Sequence, residues 1–234
     1  MFKKCTSILL VSLGVLLFAS NSYAILIAGS SSGIFTSPSG PSGMVVGGVG
    51  TDYFTWGNAG FWGTGPSSLG FEGNTFSVEH DEVFSFGTLT YFNGTIASGS
   101  EAESVNLEVT LSLSTPSGIE EDFSYNLGLI NTPNTASPIQ SADYVIFPSL
   151  IPDNYFTVDG INYTLEFMGF GNITGSGFTT IDSFHVLEGS TASAELLGRI
   201  TVATPVPEPS SILLVGSGLF GLVMYRHRKN KALN

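Results

Sequence analysis

Cysteine is almost missing: the one copy in 234 residues, Cys5, stands near the N-terminus. It precedes an apolar run instead of sitting at a small-residue cleavage point, so it is no lipoprotein acceptor. The rest of the chain has no disulfide, no thiol nucleophile and no thiolate ligand for zinc. Positive charge is nearly as scarce. Lys3, Lys4, Arg226, Arg228, Lys229 and Lys231 all lie at the two ends. Between them Arg199 is the sole basic residue, against 18 acidic ones over 25–204, a net charge of about −17. Such a body repels phosphate backbones and anionic lipid headgroups, which excludes nucleic-acid binding. Calcium or a cationic partner is electrostatically possible, with no ligands assignable, and a solvated acidic surface is the plainer role. His80 and His185 are the only histidines of this stretch, too few for a His-rich zinc site. Long amphipathic helical patterns and repeats of fixed period are also lacking.

What is present reads as strands. Val105, Leu107, Val109, Leu111 and Leu113 alternate with Asn106, Glu108, Thr110 and Ser112. That period of two gives one buried and one wet face. Phe123, Tyr125, Leu127 and Leu129 repeat the pattern. Residues 156–158, Asp159-Gly160 and 161–167 form a hairpin signal, because Asp-Gly tolerates the positive φ of a type I′ turn. Segments 83–91, 178–187 and 192–202 add strands between Gly, Asn and Ser clusters. Short strands without intervening helices predict an all-β, antiparallel, jelly-roll-like sandwich over 51–204. The Gly/Ser/Pro-rich stretch 25–50 is expected to be an irregular leader.

The ends are of different character. Lys3-Lys4, an apolar run over 8–19 and the small-residue site Ser22-Tyr23-Ala24 form a signal peptide over 1–24, with cleavage expected after Ala24. At the other end, Val206-Pro207-Glu208-Pro209 precedes an apolar segment, 211–225, and a basic cluster, 226–231. The prolines enforce an extended peptide. The basic cluster fixes a cytoplasmic end. The apolar segment has 15 residues with three glycines, whereas a stable span takes roughly 20. A transient anchor therefore fits better than a permanent one, the alternative being a plain single-span helix.

This tail, 205–234, resembles the PEP-CTERM sorting signal, also labelled an ice-binding protein C-terminal domain. The resemblance implies an inner-membrane precursor with a periplasmic body. An integral-membrane exosortase would cut it near Pro-Glu-Pro after the general secretion machinery has delivered it, and the product would reach the envelope or the extracellular space. It also implies an association with exopolysaccharide. The ice-binding label carries nothing over to the body, which has no regular Thr-x-Thr ladder. Phe54-Thr55-Trp56-Gly57, the run 67–73 and the run 86–96 resemble the choice-of-anchor K domain, with 163–167 and 184–189 continuing the pattern. That family implies an exported surface β-domain and no common enzymatic activity.

The leading function is a non-catalytic surface or matrix protein, with no cofactor and no catalytic residue assigned. The alternative is a carbohydrate-binding module. Trp56 and Trp62 flank a glycine-rich stretch that could present rings for sugar stacking, although aromatics more often fill a core. A hydrolase ranks last. Gly29-Ser30-Ser31-Ser32-Gly33 has the letters of a nucleophile elbow, but Pro38, Gly40 and Pro41 leave no room for the helix it needs. Glycoside cleavage needs two carboxyls about 5–10 Å apart in different protonation states. Glu79, Asp81 and Glu82 around His80, or Glu120, Glu121 and Asp122 in an expected loop, qualify by type alone. A cleft holding two carboxylates with separated pKa values would favour that reading. The glycine-rich run 169–177 contains no lysine or acid and is expected to be a loop.

Overall fold

The strongest sequence pattern forms the centre of the first sheet. In the computed structural model, which describes residues 26–60, 63–135, 137–148, 155–158, 160–180 and 182–202, the alternating segments become two long strands. They are β7 (Ser104–Thr115) and β8 (Ser117–Ile130). They pair antiparallel with Val105 opposite Leu127, Leu107 opposite Tyr125 and Val109 opposite Phe123. All six side chains are buried. A register one residue away would turn this set to solvent, so burial of one face fixes the pairing.

Five further strands complete that sheet: β1 (Leu26–Ser39), β5 (Thr75–Glu79), β9 (Asp143–Ile146), β12 (Gly177–Thr179) and β13 (Ser183–Val186). Their order is β12-β13-β9-β8-β7-β1-β5. The second sheet contains β2 (Val46–Gly47), β3 (Tyr53–Trp56), β4 (Ser67–Gly73), β6 (Val83–Phe92), β10 (Tyr155–Val158), β11 (Ile161–Gly175) and β14 (Thr191–Val202). It is ordered β10-β11-β14-β6-β4-β3-β2. Every pairing in both sheets is antiparallel. No α-helix occurs among the described residues. The Asp159-Gly160 signal marks a real hairpin, Val158 pairing with Ile161 and Gly160 taking φ 79°.

Aromatic rings join the two sheets. Phe86 on β6 stacks on Tyr125 of β8 with centroids 6.2 Å apart. Tyr91 meets Phe184 edge-on at 6.5 Å, and Phe156 meets Phe123 at 6.4 Å. Phe147, just after β9, lies on Phe167 of β11 at 4.1 Å. Each such pair adds roughly 0.5–1.5 kcal/mol beyond the area it buries. This interior takes the place of the disulfides that the composition rules out.

Four expectations are corrected here. The stretch 25–50 is no irregular leader: over 26–39 it forms β1, paired with β5 on one side and β7 on the other. Ile27 and Phe35 are buried there, and the small residues between them let neighbouring chains approach. A Cβ at Gly29 would lie 2.4 Å from the Ser112 carbonyl oxygen. The run 169–177 belongs mostly to β11, whose glycines are accommodated by irregularities at Phe167/Gly169 and Gly171/Thr174 while the long partner β14 supplies the ladder. Glu120, Glu121 and Asp122 lie within β8 and not in a loop, with the Thr110 hydroxyl donating to Asp122 at 2.6 Å. The expected single strand 178–187 is interrupted, giving β12 and β13.

Candidate functional site

Acid-lined loops gather at one end of the two sheets. The connection 93–103 leads from β6 to β7, 131–142 from β8 to β9, and 187–190 from β13 to β14. Backbone hydrogen bonds lock them together. The Asn93 N–H donates to the Ser190 carbonyl at 3.0 Å, and the Gly189 N–H donates to the Asn93 carbonyl at 2.8 Å. The Leu129 N–H donates to Glu103 at 2.8 Å. A cleft of about 350 Å³ opens between the connections, lined among others by Thr95, Glu101, Asn131, Thr132, Asp143 and Glu188.

Asp143 opens β9 and is only 4 % exposed. Its Oδ1 accepts from the Thr132 N–H at 2.7 Å and the Thr132 hydroxyl at 3.0 Å. Burial pushes this carboxyl up to about 6; the two Thr132 bonds oppose the rise and the charge of Glu188 adds to it. Glu188, half-buried, accepts the Thr95 hydroxyl on Oε1. Glu101 Oε2 accepts the Gly99 N–H at 2.5 Å. Tyr91 lies fully buried near both acids. Burial first, then Asp143 and Glu188, raise its phenol well above its usual range.

No cation balances these groups from within the described chain. Arg199, the only arginine or lysine of the body, is committed elsewhere, with its guanidinium on Glu166 at 2.6 and 3.3 Å across β14 and β11. Two amide oxygens add to the deficit. Asn131 Oδ1, in the lining of the cleft, is buried without a donor. Asn93 spends its Nδ2 on the Val186 carbonyl at 2.9 Å and leaves its own buried Oδ1 unpaired. Among the described residues, no three His, Cys, Asp or Glu side chains cluster as a metal group, so a zinc-type centre is not formed.

The residues singled out from sequence fall elsewhere. Trp56 is 1 % exposed, stacked on Phe54 at 5.7 Å and tilted against Tyr91 at 5.6 Å, so it is a core ring and not a sugar platform. Its place on β3 turns it inward, despite the glycines that follow. Trp62 lies outside the described residues, as do Ala24, the sorting residues Val206, Pro207, Glu208 and Pro209, and the apolar segment 211–225. Among the described residues no helix is long and apolar enough to cross a membrane. Ser31 sits in the middle of β1 and no elbow is formed; its hydroxyl donates to the Phe86 carbonyl and accepts the Asn74 N–H at 2.9 Å. Glu79 ends β5, while Asp81 takes φ 69° in the turn to β6, so the two do not share a strand face. Asp143 and Glu188 were not legible as a pair: they are 45 positions apart, and nothing local separates them from the other acids. The one available hint is an acid directly ahead of the apolar run 144–147.

No curated protein matches the chain. Residues 205–229, starting three positions beyond the end of β14, match the PEP-CTERM protein-sorting motif, the mark of a protein that is exported and sorted through an exosortase.

Proposed function

We propose that this chain is an exported, non-catalytic component of the cell envelope or extracellular matrix, delivered by the general secretion machinery and released from a transient inner-membrane anchor by an exosortase. The observation that carries the reading is the sorting motif at 205–229 directly behind the last strand of the sheet body. The prolines of Pro-Glu-Pro favour an extended backbone by their fixed φ, the form in which a protease takes a peptide. The body is of the surface-domain type suggested by its resemblance to choice-of-anchor K domains.

Two other readings have less support. A carbohydrate-binding module for exopolysaccharide loses its Trp56 platform to the core and rests on Trp62 alone. A hydrolase finds a carboxylate pair in Asp143 and Glu188, with Asp143 raised to about 6. Yet the cleft lining contains no aromatic ring on which a sugar could stack. Asp143 is also almost fully enclosed, which keeps its carboxyl from a glycosidic oxygen.

The test is the intact mass of the protein recovered from the envelope and medium of its native host. The expected species begins near Ile25 and ends near Pro207–Pro209. Glu208→Ala is expected to accumulate as uncut precursor in the inner membrane. A mass that retains 212–234, or unchanged release of the Glu208→Ala protein, would make the tail a permanent anchor and overturn the proposal.

A further inference from the structure

The last strand leaves the body from the inside of a sheet, and it is held on both flanks. β14 pairs along Thr191–Arg199 with β6 and along Ala192–Val202 with β11. Side chains lace it to both neighbours. The Thr90 and Ser193 hydroxyls meet across β6 and β14 at 2.8 Å. On the other flank Asn172 Nδ2 donates to Glu195 at 2.7 Å, and the Thr164 and Thr201 hydroxyls meet. Arg199 donates from Nε and Nη2 to Glu166 Oε2, so the only arginine or lysine of the body is spent on holding β14 against β11.

The two ends of the body lie side by side. Leu26, the first residue of β1, pairs with Glu79. In the turn that follows, the Asp81 N–H donates to the Ile200 carbonyl near the end of β14 at 2.9 Å. β6 starts at this end, with Val83 opposite Arg199, and finishes at the other, with Phe92 opposite Thr191. The connection 93–103 continues from there. A pull on the tail therefore runs along β14. If the body is held at its 93–103 end, that pull draws β6 and β14 past each other lengthwise. The bonds of an antiparallel ladder lie across its strands, so a lengthwise pull loads them together. A pull between the two ends of the body instead opens the structure where Leu26 meets Glu79, and the bonds give way one after another.

We propose that the body is a load-bearing link, which carries tension on its C-terminal tail through β14 to the opposite, 93–103 end. β14 is the clamp: an interior strand, fixed on both sides and lying in line with the load. An edge strand in its place would have a single neighbour and half the bonds to share the force. The link is strong along this one axis and yields when its two ends are drawn apart. Topology and register set the axis, which is the same whether or not an exosortase cuts the tail.

The test is single-molecule pulling on the full chain in detergent. Cys5→Ser removes the only native thiol, and DNA handles are joined to introduced cysteines. One protein carries Ser98→Cys, at an exposed position in 93–103, and Ala203→Cys, directly behind β14. The other carries Ile25→Cys, directly ahead of β1, with the same Ala203→Cys. Forced unfolding follows the unfolding rate along the pulled direction, so one fold of one stability can show two different forces. At one pulling speed the 98–203 pair is expected to open at roughly twice the force of the 25–203 pair or more. A ratio near one, or below it, overturns the proposal. Asn134→Cys, exposed in 131–142 at the same end, serves as a second upper handle with Ala203→Cys and should give the same order. It decides the outcome if the Ser98→Cys protein fails to melt with wild type.

Discussion

At the scale of single residues, the fold depends on rings whose polar atoms are tolerated more than used. Trp56 Nε1 and the Tyr125 hydroxyl are buried with no hydrogen-bond partner. Both side chains are retained for ring volume, which joins the sheets. Tyr125→Phe keeps the ring and removes an unsatisfied hydroxyl, so it is expected to leave stability unchanged or raise it by up to about 1 kcal/mol. Trp56→Ala is expected to cost about 3–5 kcal/mol through the cavity it leaves. Denaturant titration of both variants checks the contrast, and a Tyr125→Phe loss above about 1 kcal/mol would mean that the hydroxyl has a partner. His185 gives the pH signature. It lies between Tyr144 at 4.4 Å and Phe178 at 4.6 Å, and burial lowers its pKa below 6.5 while Asp182 opposes the shift. Above the unfolded value the ring is neutral in both states and its contribution is intact. As pH falls, the unfolded chain takes up the proton first, so stability declines toward the lower folded value. His185→Phe preserves the stack and should lose less Tm than wild type between pH 8 and pH 5.5. Parallel slopes for the two proteins would show that the ring titrates normally.

At the scale of elements, the decisive feature is how closely β1, β4 and β6 approach. The ring of Phe71 on β4 fills the space that side chains at Gly33 and Gly87 would occupy. A Cβ at Gly87 would lie 2.4 Å from Phe71 Cε2, and one at Gly33 would lie 2.7 Å from its Cδ1. Glycine in a strand normally weakens it, and here it marks a close approach. Gly87→Ala should therefore displace Phe71 at a cost of about 1–3 kcal/mol. Thermal melting alongside Gly99→Ala separates steric crowding from a general glycine effect. Gly99 has φ 86° and open space around its Cβ position, so only backbone strain would act there. Equal losses in the two variants would remove the Phe71 seat as the cause. The same crowding explains why β1 resists reading from sequence: its small residues look like a leader until two neighbouring strands are present to use them.

At the scale of the whole molecule, the body combines an aromatic interior with a net charge of about −17. Self-repulsion of that size favours solubility and weakens the compact state. With EDTA present throughout, Tm is expected to climb as sodium chloride rises from 10 to 500 mM, because the screening length falls from about 30 Å to under about 8 Å. A flat profile would show that the surface acids are spaced widely enough not to interact. The placement of the sorting motif three positions past β14 also belongs to this scale. The last strand is paired with both β11 and β6 inside its sheet, so a pull on the tail acts on an interior strand and not on a fraying edge.

The sequence alone determined the class of the protein. Periodicity at 105–113 and 123–129, the Asp159-Gly160 hairpin and the absence of helical patterns specify an all-β body. The C-terminal motif specifies export and sorting, because it is read from one short contiguous stretch of chain. Tertiary structure decided the rest, for reasons of distance and environment. Whether Trp56 faces sugar or core, whether 25–50 is leader or strand, and whether 169–177 is loop or ladder depend on partners far away in the chain. The acidic cleft is the extreme case. Asp143 and Glu188 come to line one cleft only when three loops meet, and burial there raises the Asp143 carboxyl.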